Sequence, residues 1–152
     1  MRHRALWLLG VLLTVGCSRP VSSQALGLEY QPPSGVTFTS EEAGPPAVAR
    51  FAGGLEMRSV PGTPPPLDAS PEAVLSAAGL SMPGKLVKSA QGTLTAGPVG
   101  RYEFKQEDTW TLVYFLPRPD RFLLITFSAP SQDYGRLSSR VEQSLSTLKL
   151  LR

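Results

Sequence analysis

The chain has 152 residues, enough for one ordinary domain with little room for a second. Its formal charge of +3 includes Arg2 and Arg4 near the N-terminus. Without them 13 basic residues remain of the 15, against 12 acidic ones, too even a balance for an electrostatic nucleic-acid footprint. The only His is His3 and the only Cys is Cys17, so no disulfide framework forms within one chain, and Ser-His and Cys-His nucleophile pairs are excluded once a leader is removed.

Residues 1–16 read as such a leader. Met1–Arg4 is basic, and the apolar run Ala5–Val15 is too short to span a bilayer, which takes about 20 residues, but suits a signal-peptide core. Thr14-Val15-Gly16-Cys17 follows and resembles the lipobox of bacterial lipoproteins, with Thr14 where that pattern usually has Leu. The resemblance implies cleavage after Gly16 and lipidation of Cys17. Stable attachment needs two or more acyl chains, because one holds only marginally. An ordinary secretory leader and an uncleaved anchor are the alternatives. Ser18 in place of Asp leans toward the outer membrane. Residues 17–25 read as the lipidated Cys and a polar, flexible tether, and 26–152 as a single α+β domain.

Gly27–Tyr30 reads as a short strand, Gln31–Gly35 as a Pro/Gly turn and Val36–Ser40 as a second strand. Glu41–Pro46 reads as loop. Ala47–Phe51 and Leu55–Val60 are two more strands around Ala52-Gly53-Gly54. Pro61–Ala69, with three consecutive prolines, is either a stiff connector or a docking motif for an aromatic groove. Ser70-Pro71-Glu72 predicts a helix start with Ser70 as N-cap, and Gly79 ends that helix. Leu86–Ala90 and Gly92–Ala96 read as a hairpin turning at Gln91-Gly92, broken by Gly97-Pro98. Gly100–Lys105 alternates as a strand, and Gln106–Asp108 turns.

Thr109–Ser128 organises the rest. Trp110, Leu112, Tyr114 and Leu116 point one way and Thr111, Val113 and Phe115 the other. After a Pro-containing loop, Leu123, Ile125 and Phe127 oppose Phe122 and Leu124. Both faces are apolar, so this strand pair needs cover on both sides. Ser131 then reads as the N-cap of a helix over residues 132–147. Its apolar stripe of Tyr134, Leu137, Val141, Leu145 and Leu148 is suited to covering one face. Leu148–Arg152 reads as a short extension.

The order of these features resembles the PsbP-like family of small α/β/α domains, which includes Mog-type proteins and bacterial DcrB-like lipoproteins. The resemblance rests on Leu124–Pro130, on Ser144–Lys149 and on the turn Gln31–Gly35. It implies an α+β fold, a mostly antiparallel sheet between helices, and by analogy a binding or accessory role without catalysis.

Ser-Lys catalysis is formally open through Lys85, Lys88, Lys105 and Lys149, but no spacing supports it. Glu103, Glu107 and Asp108 cluster near one strand end, either as a hard-cation or acid/base site or as a solvated turn. Trp110, Tyr102 and Phe104 either line a groove or belong to the core. Arg118 and Arg121 at the hairpin tip are either an interaction surface for head groups or an acidic partner, or solubilising loop charges. No catalytic residue, cofactor or metal is assigned. The leading expectation is a lipid-anchored envelope protein, facing the periplasm or the cell surface and binding a protein partner. A carrier of a small apolar ligand between sheet and helix is the rival, and a hydrolase the third reading.

Overall fold

β8 (Thr109–Pro117) and β9 (Arg121–Pro130) form the middle of a seven-stranded antiparallel sheet, here described from a computed structural model covering residues 19–152. The expected leader and lipidation site, residues 1–17, lie outside the described residues. The earlier strands are β1 (Val21–Ser23), β2 (Leu28–Tyr30), β3 (Phe38–Glu42), β4 (Ala47–Phe51) and β5 (Leu55–Pro61). Helix α1 (Pro71–Ala77) precedes β6 (Lys85–Leu94) and β7 (Gly97–Gln106). Helix α2 (Ser131–Ser144) follows β9, and a 3₁₀ turn (Leu145–Thr147) leads to β10 (Lys149–Leu150). The large sheet runs β3-β4-β5-β9-β8-β7-β6, and a small one runs β1-β2-β10.

The central pair has the two-faced burial its alternation predicts. Leu112 lies opposite Phe127, Tyr114 opposite Ile125 and Leu116 opposite Leu123. All six face one core, completed by Val141, Leu145 and Leu148 and by Leu28 and Tyr30 of the small sheet. Val113, Phe115, Phe122 and Leu124 face the second core, completed by Val74 and Leu75 of α1. One helix therefore covers each face. The architecture is the expected α+β sandwich, with the small sheet sharing the α2 side.

Ser70 caps α1 as expected: its hydroxyl accepts the Ala73 N–H at 3.2 Å, and Pro71 opens the helix. Ser131 does not cap α2. It is the first helical residue, and its N–H donates to the Asp108 carbonyl at 2.8 Å, which ties the helix start to the β7–β8 turn. The helix ends at Ser144, and the stripe continues to Leu148 through the 3₁₀ turn.

The hairpin expected at Gln91-Gly92 turns instead at Thr95-Ala96. Gln91 pairs with Gly100, Gly92 with Val99, and Leu94 with Gly97, within two continuous ten-residue strands. Gly92 is tolerated because β6 is an edge strand with little to pack against. Pro98 is tolerated because β8 joins β7 only from Gly100 onward, so its missing N–H faces no neighbour. Two further differences concern the first half of the domain. Residues read as tether, Val21–Ser23, form β1 against β2 with Ser23 buried, and β3 extends through Glu41 and Glu42. The terminal extension becomes β10, pairing with Leu28 and Glu29.

Candidate functional site

The hairpin tip is built by the sheet beneath it. The Arg118 N–H donates to the Arg121 carbonyl at 2.8 Å, which closes the turn around Pro119-Asp120. Both arginines are half-buried. Arg121 folds back onto the domain. Its guanidinium lies over Gly27, at φ 66°, where an added Cβ would sit 2.5 Å from one guanidinium nitrogen. There it borders a cavity of about 270 Å³ lined by Ala25, Gly44 and Ser59. Among the described residues no carboxylate forms an ion pair with Arg118 or Arg121.

The acidic cluster is spread out. Glu107 occupies the β7–β8 turn with φ 54°, and the Asp108 carbonyl accepts from Ser131. Glu103 lies back along β7, paired with Arg101. Among the described residues no three potential ligands come together for a metal ion. The aromatic trio is also divided. Tyr102 and Phe104 are buried in the α1-side core. Trp110 lies on the opposite face, stacked on Tyr134 at 5.4 Å with the Lys105 ammonium 5.4 Å from its ring centre. No single groove holds all three.

A polar network that the sequence reading missed joins the sheet to α2. Arg101 Nε donates to Glu142 at 2.5 Å, the Tyr114 hydroxyl donates to the same carboxylate at 2.6 Å, and Arg101 also bonds Glu103. Burial acts to raise the Glu142 pKa, but the hydrogen bonds from Arg101 and Tyr114 outweigh it and hold the carboxyl below its ordinary value. Burial and the neighbouring Glu142 carboxylate push the Tyr114 phenol up to about 12. Burial acts to lower the Arg101 pKa, and its bonds to Glu142 and Glu103 raise it overall. Arg101 and Glu142 are 41 positions apart in sequence. The available signal was Glu142 falling next to Val141 of the apolar stripe, at the rim of the buried helix face. The network docks a helix. It presents neither a nucleophile nor an open cavity, so it has the groups of a clamp and not those of a reaction centre.

Concave surface gathers at one end, around the loop 31–37. Gly35, at φ 84°, makes the turn in which the Val36 N–H donates to the Pro33 carbonyl at 3.0 Å. Thr147 holds the loop's start by accepting the Gln31 N–H at 3.0 Å, and the Tyr30 hydroxyl meets Ser144 Oγ at 2.5 Å. Tyr30 and Phe38 each pack edge to face against Phe51, with ring centres 5.8 Å apart in both pairs. A cavity of about 510 Å³ opens between this loop and the entering chain, walled by Val21, Pro32, Val36 and Phe38, with Arg19 and Glu41 at its polar side. A smaller one, about 200 Å³, lies where Phe127 of the sheet meets Leu137 and Val141 of α2.

No family model and no curated protein matches the chain. Among solved structures, the solution structure of cyanobacterial PsbP (CyanoP) from Synechocystis is similar, with a TM-score of 0.56 and 14% identity. The match covers 93% of this chain and 98% of that one. A crystal structure from Bacteroides thetaiotaomicron is similar with a TM-score of 0.49 and 12% identity, over 90% of this chain and 49% of that one. The first likeness is one of fold: the chain has the PsbP-like α+β architecture.

Proposed function

We propose that this chain is a bacterial lipoprotein, held in the cell envelope by lipid on Cys17, and that its domain serves there as a non-catalytic binding or accessory module, as in the DcrB-like lipoproteins it resembles. The observation that carries the reading is the junction of leader and fold. A basic start, a short apolar run and Val15-Gly16-Cys17 are followed by a strand that begins at Val21. Three residues separate Cys17 from β1, and the four Cα–Cα steps reach about 14 Å when extended. The domain would therefore lie against the membrane, with the cavity walled by Val21 and Phe38 on its anchored end.

The absence of His and of any further Cys after Cys17 supports a role without nucleophilic catalysis. A protein partner within the envelope is the reading of choice, on the outer membrane in preference to the inner. The cavity shared by Phe127, Leu137 and Val141 favours a second reading, a carrier holding a small apolar group between sheet and helix, although about 200 Å³ is below the usual ligand-site range of about 300–1,000 Å³.

Crosslinking and pull-down from envelope fractions, comparing wild type with Cys17→Ala, tests this. Loss of membrane retention and of the crosslinked partner in the variant supports the reading. A Cys17→Ala protein that stays at the membrane with its leader removed normally overturns it.

A further inference from the structure

The edge of the large sheet at β6 is half defended and half open. Lys85 and Lys88 sit at its start, and the register shifts between Leu86 and Lys88, which leaves Val87 bulged and 53% exposed. Charge and bulges are the means by which edge strands discourage pairing. Ser89–Leu94 has neither. It runs in unbroken register against β7, carries no charge and no proline, and is almost wholly exposed.

The direction of its backbone groups follows from the rest of the sheet. The bond from the Arg118 N–H to the Arg121 carbonyl fixes which residues of β8 face β9. Antiparallel ladders alternate strictly, so Leu116, Tyr114 and Leu112 also face β9, while Phe115 and Val113 face β7. Gly100 and Tyr102 then face β8, and Val99 and Arg101 face β6. Gly92 and Ala90 spend their amides on β7, and Ser89, Gln91 and Thr93 turn theirs outward. The bond from the Ser128 N–H to the Gly54 carbonyl, on the β5 side of β9, obeys the same alternation.

We propose that Ser89, Gln91 and Thr93 form a strand-addition site that accepts an extended, acidic segment of a partner protein. The main chain supplies the pairing and the flanking charge supplies the choice of partner. The sequence between Glu72 and Glu103 contains no acidic residue and includes Lys85, Lys88 and Arg101. Arg101 is already neutralised by Glu103 and Glu142. Lys85 pairs across the sheet with Lys105. Lys88 lies opposite Glu103 and within electrostatic reach of Glu142. Those two carboxylates balance Arg101 and Lys88, so Lys85 and Lys105 leave surplus positive charge at the start of the strand, which favours an acidic guest and disfavours a basic one. The site rests on the reading of the chain as a binding module and names its partner's chemistry.

The test uses the full chain in detergent, isotopically labelled for amide NMR. The probe is a capped eight-residue peptide alternating Thr and Glu, with a Thr/Lys peptide as control. The acidic peptide is expected to shift the Ser89, Gln91 and Thr93 amides together and slow their hydrogen exchange, while the basic one leaves them unchanged. Thr93→Pro removes an outward N–H without breaking a bond to β7 and is expected to abolish the effect. Lys85→Glu/Lys88→Glu, which leaves the backbone alone, is expected to weaken binding about tenfold. Shifts confined to the loop 31–37, equal binding of both peptides, or an edge already paired with a second copy of the chain would each overturn the proposal. None of those outcomes bears on the envelope crosslinking, which tests the parent reading separately.

Discussion

Arg101 on β7 and Glu142 on α2 meet at 2.5 Å, with the Tyr114 hydroxyl on the same carboxylate at 2.6 Å, a polar clamp between the long helix and the sheet. The side chains of Arg101 and Glu142 are 20% and 29% exposed, so solvent screens the pair only in part. Glu142→Gln is expected to cost about 2 kcal/mol at neutral pH, in the range for hydrogen bonds to charged groups, read as a lowered urea midpoint. The sign with pH is set by the lowered carboxyl pKa. Its contribution is fully present above the ordinary value of 4.5 and is lost as pH falls through the folded-state value. Wild type and Glu142→Gln should therefore converge in stability under acid. A constant gap down to about pH 2 would show that the carboxylate charge is not what holds the helix.

The two cores make a separate prediction. Phe115 is fully buried on the α1 side, edge to face with Phe122 at 5.5 Å, whereas Phe38 on the edge strand β3 is 42% exposed. Phe115→Ala is expected to cost about 3–5 kcal/mol, through lost burial and the cavity left behind. Phe38→Ser loses a half-exposed contact with Phe51 and should cost about 1 kcal/mol or less. Thermal melts of the two variants side by side measure the contrast, and comparable losses would contradict the layered arrangement.

The parts of this fold that the sequence disclosed are those with a short-range cause. The alternation in β8 and β9 told that both faces are buried, because side-chain direction along a strand depends only on position. Ser70 was recognisable as a cap from its two following residues. The turn between β6 and β7 was misplaced because Gly92 and Gly97-Pro98 are breakers by local rules, and only their place on the edge of the sheet makes them harmless. The Arg101–Glu142–Tyr114 clamp and the pairing of β1 with β2 and β10 depend on which segments meet in space, and no local pattern encodes that.

Helix capping separates the local rule from the tertiary outcome. Ser70→Ala removes the acceptor for the Ala73 N–H and is expected to cost about 1 kcal/mol. Ser131 looks equally cap-like in sequence, yet the bond that holds it runs from its backbone N–H to the Asp108 carbonyl, with its hydroxyl only 3.3 Å from the same atom. Ser131→Ala keeps the backbone bond and should cost less than half as much. Denaturant midpoints decide it, and equal losses would restore Ser131 to the role its sequence context gives it.

Arg121 offers the sharpest check on the hairpin tip, because its guanidinium fills the space where residue 27 would carry a Cβ. Gly27→Ala meets two obstacles: a left-handed backbone at φ 66°, costing about 1–2 kcal/mol for a residue with a side chain, and contact with the arginine head. Only the second is relieved by shortening residue 121. Arg121→Ala alone loses packing over Gly27. The double variant Gly27→Ala/Arg121→Ala should then be more stable than the sum of the two single losses predicts, by about 0.5–1 kcal/mol, the scale of coupling between touching residues. Strict additivity in chemical denaturation would mean that Arg121 does not lie on Gly27 in solution and that its charge is available at the tip, beside Arg118, for an acidic partner or head groups.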